Sequence, residues 1–87
     1  MAAYRLLIKR SAAKELEAVG SMNDRRRIVA RISPLANDPR PDGCEKLAGF
    51  EDRFRLCQGN YRIVYAVDDH VRTVEVVKIG HRRDVYR

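Results

Sequence analysis

The sequence predicts an α+β domain: an N-terminal strand, a helix hairpin, then an antiparallel β-meander, with the helices packed on one face of the sheet. Three observations carry that prediction. Apolar residues recur at helical spacing in the first half, where Ile28, Ile32 and Leu35 fall at i, i+4 and i+7. Beyond Gly43 the period changes to two. The connections between the period-two runs, at Gly59-Asn60 and around Asp68-Asp69-His70, are short enough for hairpins.

Tyr4-Arg-Leu-Leu-Ile8 is a short run of strand type. Ser11 reads as the N-cap of a helix over Ala12 to Val19, with Gly20 as its stop. Ser21-Met-Asn-Asp24 resembles a capping box with Asp in place of Glu, and opens a second helix running to about Leu35. Arg25, Arg26, Arg27 and Arg31 decorate that helix, a run read most simply as a solvated face. Asn37-Asp-Pro-Arg-Pro-Asp-Gly43 is a loop by its breaker residues. Strands follow over Arg53–Cys57, Tyr61–Val67 and Thr73–Ile79.

Eighty-seven residues make one domain, 1–87, with a modest core, so function is expected on a surface or in a shallow groove. The net charge is +6, from 18 basic and 12 acidic side chains, and 14 of the basic residues are Arg. A guanidinium is a planar fork that matches phosphate, whereas Lys is a point charge, so this bias points to nucleic acid or an acidic protein partner. The charge is spread along the chain, nine basic residues lying in 1–43 and nine in 44–87, so no detachable basic arm is expected. Cys44 and Cys57 are too few for a disulfide framework and too far apart for a CxxC motif. With two histidines at no ligand-like spacing, neither a metal nor another cofactor is expected. No apolar run has signal-peptide or membrane-span length, so the expected location is the cytoplasm, with no membrane contact.

The first hairpin is fixed by parity. If Gly59-Asn60 is a two-residue loop, then Cys57 faces Arg62, Leu56 faces Ile63, Arg55 faces Val64 and Phe54 faces Tyr65. Opposed residues share a sheet face and alternate residues switch face. Phe54, Leu56, Ile63 and Tyr65 therefore form one apolar side, and Arg53, Arg55 and Arg62 lie together on the other, where Glu75 joins them. A three-residue loop would scramble both faces, which a buried face forbids. Gly80 is expected to allow a bend that brings His81, Arg82, Arg83 and Tyr86 back toward the arginine surface.

Arg53-Phe-Arg-Leu, then Gly-Asn-Tyr61-Arg-Ile-Val-Tyr65, then Ile79-Gly-His-Arg82 and Val-Tyr86 together resemble the RelE branch of the RelE/ParE toxin superfamily, over essentially the whole chain. The resemblance implies the RelE-like microbial ribonuclease-type fold and a small basic toxin encoded with an antitoxin. Toxins of this branch cut mRNA in the ribosomal A site. It implies catalytic roles for Arg53, Arg55, Arg62, Arg82 and Tyr86, and RNA contacts from Arg53, Arg55, His81 and Arg83. The implied partners are a cognate acidic antitoxin, mRNA on the ribosome and, through the antitoxin, operator DNA. The tail is slightly shorter between Arg82 and Tyr86 than in some relatives.

Metal-free RNA cleavage uses the ribose 2′-hydroxyl as nucleophile. It requires a proton acceptor, stabilisation of the phosphorane's charge, and a proton for the leaving 5′-oxygen. Arg62 and Arg82 suit the scissile phosphate, and Arg53 and Arg55 suit the phosphate and leaving group. Tyr86 serves as base if nearby guanidiniums lower its pKa from about 10. His81 is an auxiliary acid candidate. Two other readings remain open. One is a ParE-like DNA gyrase inhibitor on the same fold, which has no need of all five side chains; the other is a non-catalytic nucleic-acid-binding module.

Overall fold

The structure, a computed structural model, describes residues 3–85, with side chains described through Arg83. Strand β1 (Arg5–Ile8) leads into helix α1 (Arg10–Glu17) and helix α2 (Met22–Ile32), which ends in a 3-10 turn over Ser33–Ala36. After the loop come β2 (Glu45–Lys46), β3 (Arg53–Gln58), β4 (Tyr61–Asp68), β5 (Thr73–His81) and a short helix, α3 (Arg82–Val85). The five strands form one mixed sheet in the order β1-β5-β4-β3-β2, with β1 parallel to β5 and the other pairs antiparallel.

The hairpin register is the expected one: Phe54 opposes Tyr65, Arg55 opposes Val64, Leu56 opposes Ile63 and Cys57 opposes Arg62. Gly59 takes a φ of 59° at the first position of the turn, where a two-residue hairpin loop requires a left-handed residue. Leu56, Ile63 and Tyr65 are fully buried under the helices, against Ile28 and Leu35. The Tyr65 hydroxyl donates to the carbonyl of buried Pro39 at 2.7 Å, and burial pushes its pKa far up. Sequence periodicity misses a β-bulge. The ladder slips between Val64 and Tyr65, so Val77 has no partner on β4.

Of the two serines expected to cap helices, one does so and the other does not. Ser21 Oγ accepts from the Asp24 amide at 3.2 Å and caps α2 as expected. Ser11 does not cap α1. The helix begins at Arg10 behind Lys9, whose amide donates to the Val76 carbonyl at 2.9 Å and fixes the chain on β5 before the helix starts. Nor does Gly20 stop α1, which ends at Glu17 with Ala18 as C-cap. Arg25 Nη1 donates to the carbonyls of Glu17 and Val19 at 3.3 Å each. That arginine closes the helix end and is not simply part of a solvated run.

Where β5 outruns β1, α1 takes over the sheet edge. Glu15 Oε1 accepts from the Ile79 amide at 3.1 Å, standing in for a neighbouring strand, and Lys78 Nζ lies 3.5 Å from Glu15 Oε2. At the opposite end Asp69 ties three segments together. It accepts from Tyr4 Oη at 2.6 Å and from Arg40 Nη2 at 2.7 Å. Arg40, then Tyr4, holds the Asp69 carboxyl below its ordinary range, and the same bond raises the Tyr4 pKa.

Two outcomes check this fold. Leu56→Ala should cost about 2–5 kcal/mol in denaturant unfolding, and a loss below about 0.5 kcal/mol would remove Leu56 from the core. Asp69 has a depressed folded pKa. Its contribution is therefore present above the ordinary carboxylate value and lost as pH falls through the folded value. Tyr4 has a raised one, so its contribution holds below the ordinary phenol value and is lost as pH rises through the folded value. In Asp69→Asn the Tyr4 ring, followed by NMR, should titrate at lower pH than in the parent, and an unchanged midpoint would dissolve the pair.

Candidate nucleic-acid interface

The side of the sheet away from the helices is built by β3 and β4. Arg53 stands in one row with Ala66 and Glu75, Arg55 in the next with Val64 and Lys78, and Arg62 in a third with Cys57 and Gly80. Neighbouring strands lie about 4.8 Å apart, so these guanidiniums share one surface. Val64, though on this face, is only 6% exposed. Its row neighbours on either side, Arg55 and Lys78, have the long apolar stems that can shield such a residue.

Each arginine is held. Arg53 lies over the Phe50 ring, 4.6 Å from its centroid. Arg55 Nη2 is paired with Glu45 Oε2, and its side chain is 16% exposed. Arg62 Nη1 folds back on the hairpin turn and donates to the carbonyls of Gly59 and Tyr61 at 3.2 and 3.1 Å. Its Nε is buried without a hydrogen-bond partner among the described residues. A polar atom in that state is costly unless a ligand or water completes it.

The tail departs from expectation. Gly80 is not a bend. β5 runs on through His81, paired with Tyr61, because the ladder to β4 continues to the hairpin turn. The chain turns only at Arg82, whose amide donates to the Asn60 carbonyl at 2.7 Å. Arg82 and Arg83 are exposed and start α3 beside the turn that holds Arg62. His81 does not join the arginines. Strand alternation turns it to the helix side, where it meets the Tyr61 ring edge-on at 5.9 Å, near Glu15 and Val19. Tyr86, the expected base, lies outside the described residues.

Two residues of this surface escape the sequence reading. Glu45 arrives on β2, a strand of two residues too short to show a period. Phe50 sits in the loop before β3 and is 45% exposed. An exposed aromatic ring against an arginine is a platform on which a base can stack. Its signal in the sequence is an unexplained aromatic three residues ahead of a charged strand. Taken together the face offers guanidiniums for phosphate, a ring for a base and a carboxylate for a proton. Among the described residues no His, Cys, Asp or Glu cluster suited to a metal is found, and no helix is long and apolar enough to cross a membrane.

Comparison with known proteins gives one consistent relationship. The model of the ParE toxin of type II toxin–antitoxin systems, parDE, matches residues 6–86. The toxin RelE of Mycobacterium tuberculosis is 30% identical over 84 residues, covering 97% of this chain and 87% of that protein. The RelE–RelB complex of Pyrococcus horikoshii contains a chain with a TM-score of 0.82 at 25% identity, covering 95% of this chain and 99% of that one. The isolated RelE toxin of E. coli superposes with a TM-score of 0.79 at 31% identity, covering 97% and 92%. By its family match, its identity to a RelE toxin over nearly its whole length and its superposition on RelE chains, this chain belongs to the RelE/ParE superfamily of type II toxin–antitoxin toxins, on its RelE-like branch.

Proposed function

We propose that this toxin is a metal-independent endoribonuclease that cleaves mRNA, held in the ribosomal A site, by attack of a 2′-hydroxyl on the adjacent phosphate. The observation that carries the reading is the single surface shared by Arg53, Arg55 and Arg62, each on a rigid strand. Arg62 and Arg82 take the scissile phosphate, with Arg82 starting its helix at the turn where Arg62 is folded. Arg53 and Arg55 neutralise the flanking phosphate and the leaving oxygen. Tyr86 supplies a proton-transfer group, and Arg83 a further RNA contact. His81, turned to the helix side, has no part in this scheme. A surface of cations with few proton-transfer groups is an incomplete catalyst. Binding on the ribosome would supply the bent RNA geometry it lacks.

The RelE chains of known structure include complexes with RelB, which supports an antitoxin for this chain too. An acidic, partly disordered antitoxin suits the +6 charge. Apolar surface for it lies between the helices, where exposed Met22 and Val29 flank Leu16 beside Arg25 and Arg26. Such a complex acts in the cytoplasm and binds operator DNA through the antitoxin. One finding favours a second reading: the matching family model is described as the ParE toxin, and a gyrase inhibitor on this fold would act without the arginine face.

Expression alone should arrest growth, with new 5′ ends appearing inside translated frames. Arg62→Ala, Arg82→Ala and Tyr86→Phe should each relieve the arrest in folded protein, whereas exposed Arg27→Ala should not. Arrest without RNA cuts but with loss of gyrase supercoiling would select the ParE reading, and tolerated expression would leave a binding module. Antitoxin association, followed by stopped flow, should slow as salt rises while dissociation changes much less. A salt-independent on-rate would contradict electrostatic steering.

A further inference from the structure

We propose that Phe50 and Arg53 form a nucleobase subsite, in which an unpaired base of the mRNA stacks on the Phe50 ring. The proposal rests on the endoribonuclease reading above. Of the two phenylalanines, Phe54 lies in the core at 8% exposure, whereas Phe50 stands 45% exposed against an arginine of the basic face. The backbone holds it there. Residues 47–50 form a turn closed by the Phe50 amide, which donates to the Leu47 carbonyl at 3.4 Å. Gly49, at a φ of 85°, takes the third position, where a type II turn needs a left-handed residue. The segment is anchored on both sides: the Leu47 amide donates to the Arg53 carbonyl and the Val67 amide to the Asp52 carbonyl, each at 2.9 Å. A ring presented by a fixed turn loses little freedom when a base arrives.

Arg53 differs from its neighbours. Arg55 is paired with Glu45, and Arg62 donates to the turn carbonyls. Arg53 lies over the Phe50 ring and, among the described residues, its guanidinium reaches no carboxylate or carbonyl. It covers part of the ring and keeps its donors for RNA. Its row neighbour on β4, Ala66, sets no long side chain beside it. A π-face for a base next to a cation for its backbone is the pairing by which single-stranded RNA is held, and it accepts any base. The position follows from the strand. Arg53 lies four residues before Cys57, which shares the row of Arg62, so the two rows are about 13 Å apart. The subsite is therefore set back from the scissile phosphate and takes a base other than the two which that phosphate joins. Such a contact fixes the register of the RNA on the arginine rows and adds affinity, not chemistry.

The test uses mRNA-programmed ribosomes in single turnover with the purified toxin, and RNAs carrying one abasic nucleotide at each position around the cut in turn. Phe50→Ala should raise the half-saturating concentration about 10-fold and leave the maximal rate unchanged. One abasic position, outside the two nucleotides joined by the scissile phosphate, should weaken the parent by the same factor and Phe50→Ala not at all, because both changes remove one contact. Phe50→Trp, which keeps a ring, should bind at least as tightly as the parent. The fluorescent base 2-aminopurine at that position should be quenched by the parent and not by Phe50→Ala. If every abasic position costs the variant as much as the parent, the ring only orients Arg53 and the subsite is overturned. It is overturned equally if Phe50→Ala binds like the parent, or if the coupled base adjoins the cut. Loss of the same factor on ribosomes without mRNA would make the ring a ribosome contact and also overturn it. A parent that cuts no RNA sinks the endoribonuclease reading, while the quenching, which needs no cleavage, still decides the subsite.

Discussion

Everything on the functional side of this protein depends on one turn of two residues. Gly59-Asn60 joins β3 to β4 with no residue to spare, and that length alone decides which side chains meet the helices. A slip of one residue would carry Arg62 under α1 and α2 and turn Ile63 to water. A buried, unpaired guanidinium costs several kcal/mol, a large share of a small domain's whole stability. The apolar face thus enforces the register, and the register in turn gathers the arginines. Core packing and anion binding are two consequences of the same parity, written on opposite sides of the same strands.

The bulge at Val77 extends that logic to β5. Without the extra residue, Val64 would face Val77, Ile63 would face Lys78, and Ile79 would be turned out of the core. With it, Ile79 is 2% exposed opposite Ile63, and Lys78 joins the basic face opposite Val64. The sheet therefore carries a row of Glu45, Arg55, Val64 and Lys78 across four strands. Like charges set this close repel, so such a row persists only where the backbone beneath it is rigid. Glu45 offsets part of the repulsion, and the Phe50 ring and the turn carbonyls hold two further arginines by other means.

What the sequence made legible was whatever a period or a turn residue encodes over several positions. The core of the hairpin, the stripe of Ile28, Ile32 and Leu35, the Ser21 cap and the gathering of Arg53, Arg55 and Arg62 all belong to that class. What stayed hidden was set by partners distant in sequence. The start of α1 is fixed by Val76, its end by Arg25, and the edge of β5 by Glu15. β2 exists because β3 offers it an edge, since two residues carry no pattern of their own. The side of the sheet taken by His81 follows from a ladder that continues past Gly80, where a glycine in a sequence reads more readily as a break.

Helix α1 links the two sides of the molecule. One face of its second turn gives Leu16 and Glu17 to the apolar groove against α2. The neighbouring position, Glu15, accepts from the Ile79 amide and lies near the Lys78 ammonium, two to three residues before β5 ends at His81. The segment that delivers Arg82 therefore leaves a strand edge closed by a side chain, where elsewhere β5 is closed by β1. One carboxylate bond is a weaker hold than a ladder, and segments with few backbone partners open first. The end of the sheet that carries the closing arginines is thus the part tied most directly to the helix pair. The Arg53 and Arg55 end is held instead by ladders on both sides, from β2 and β4.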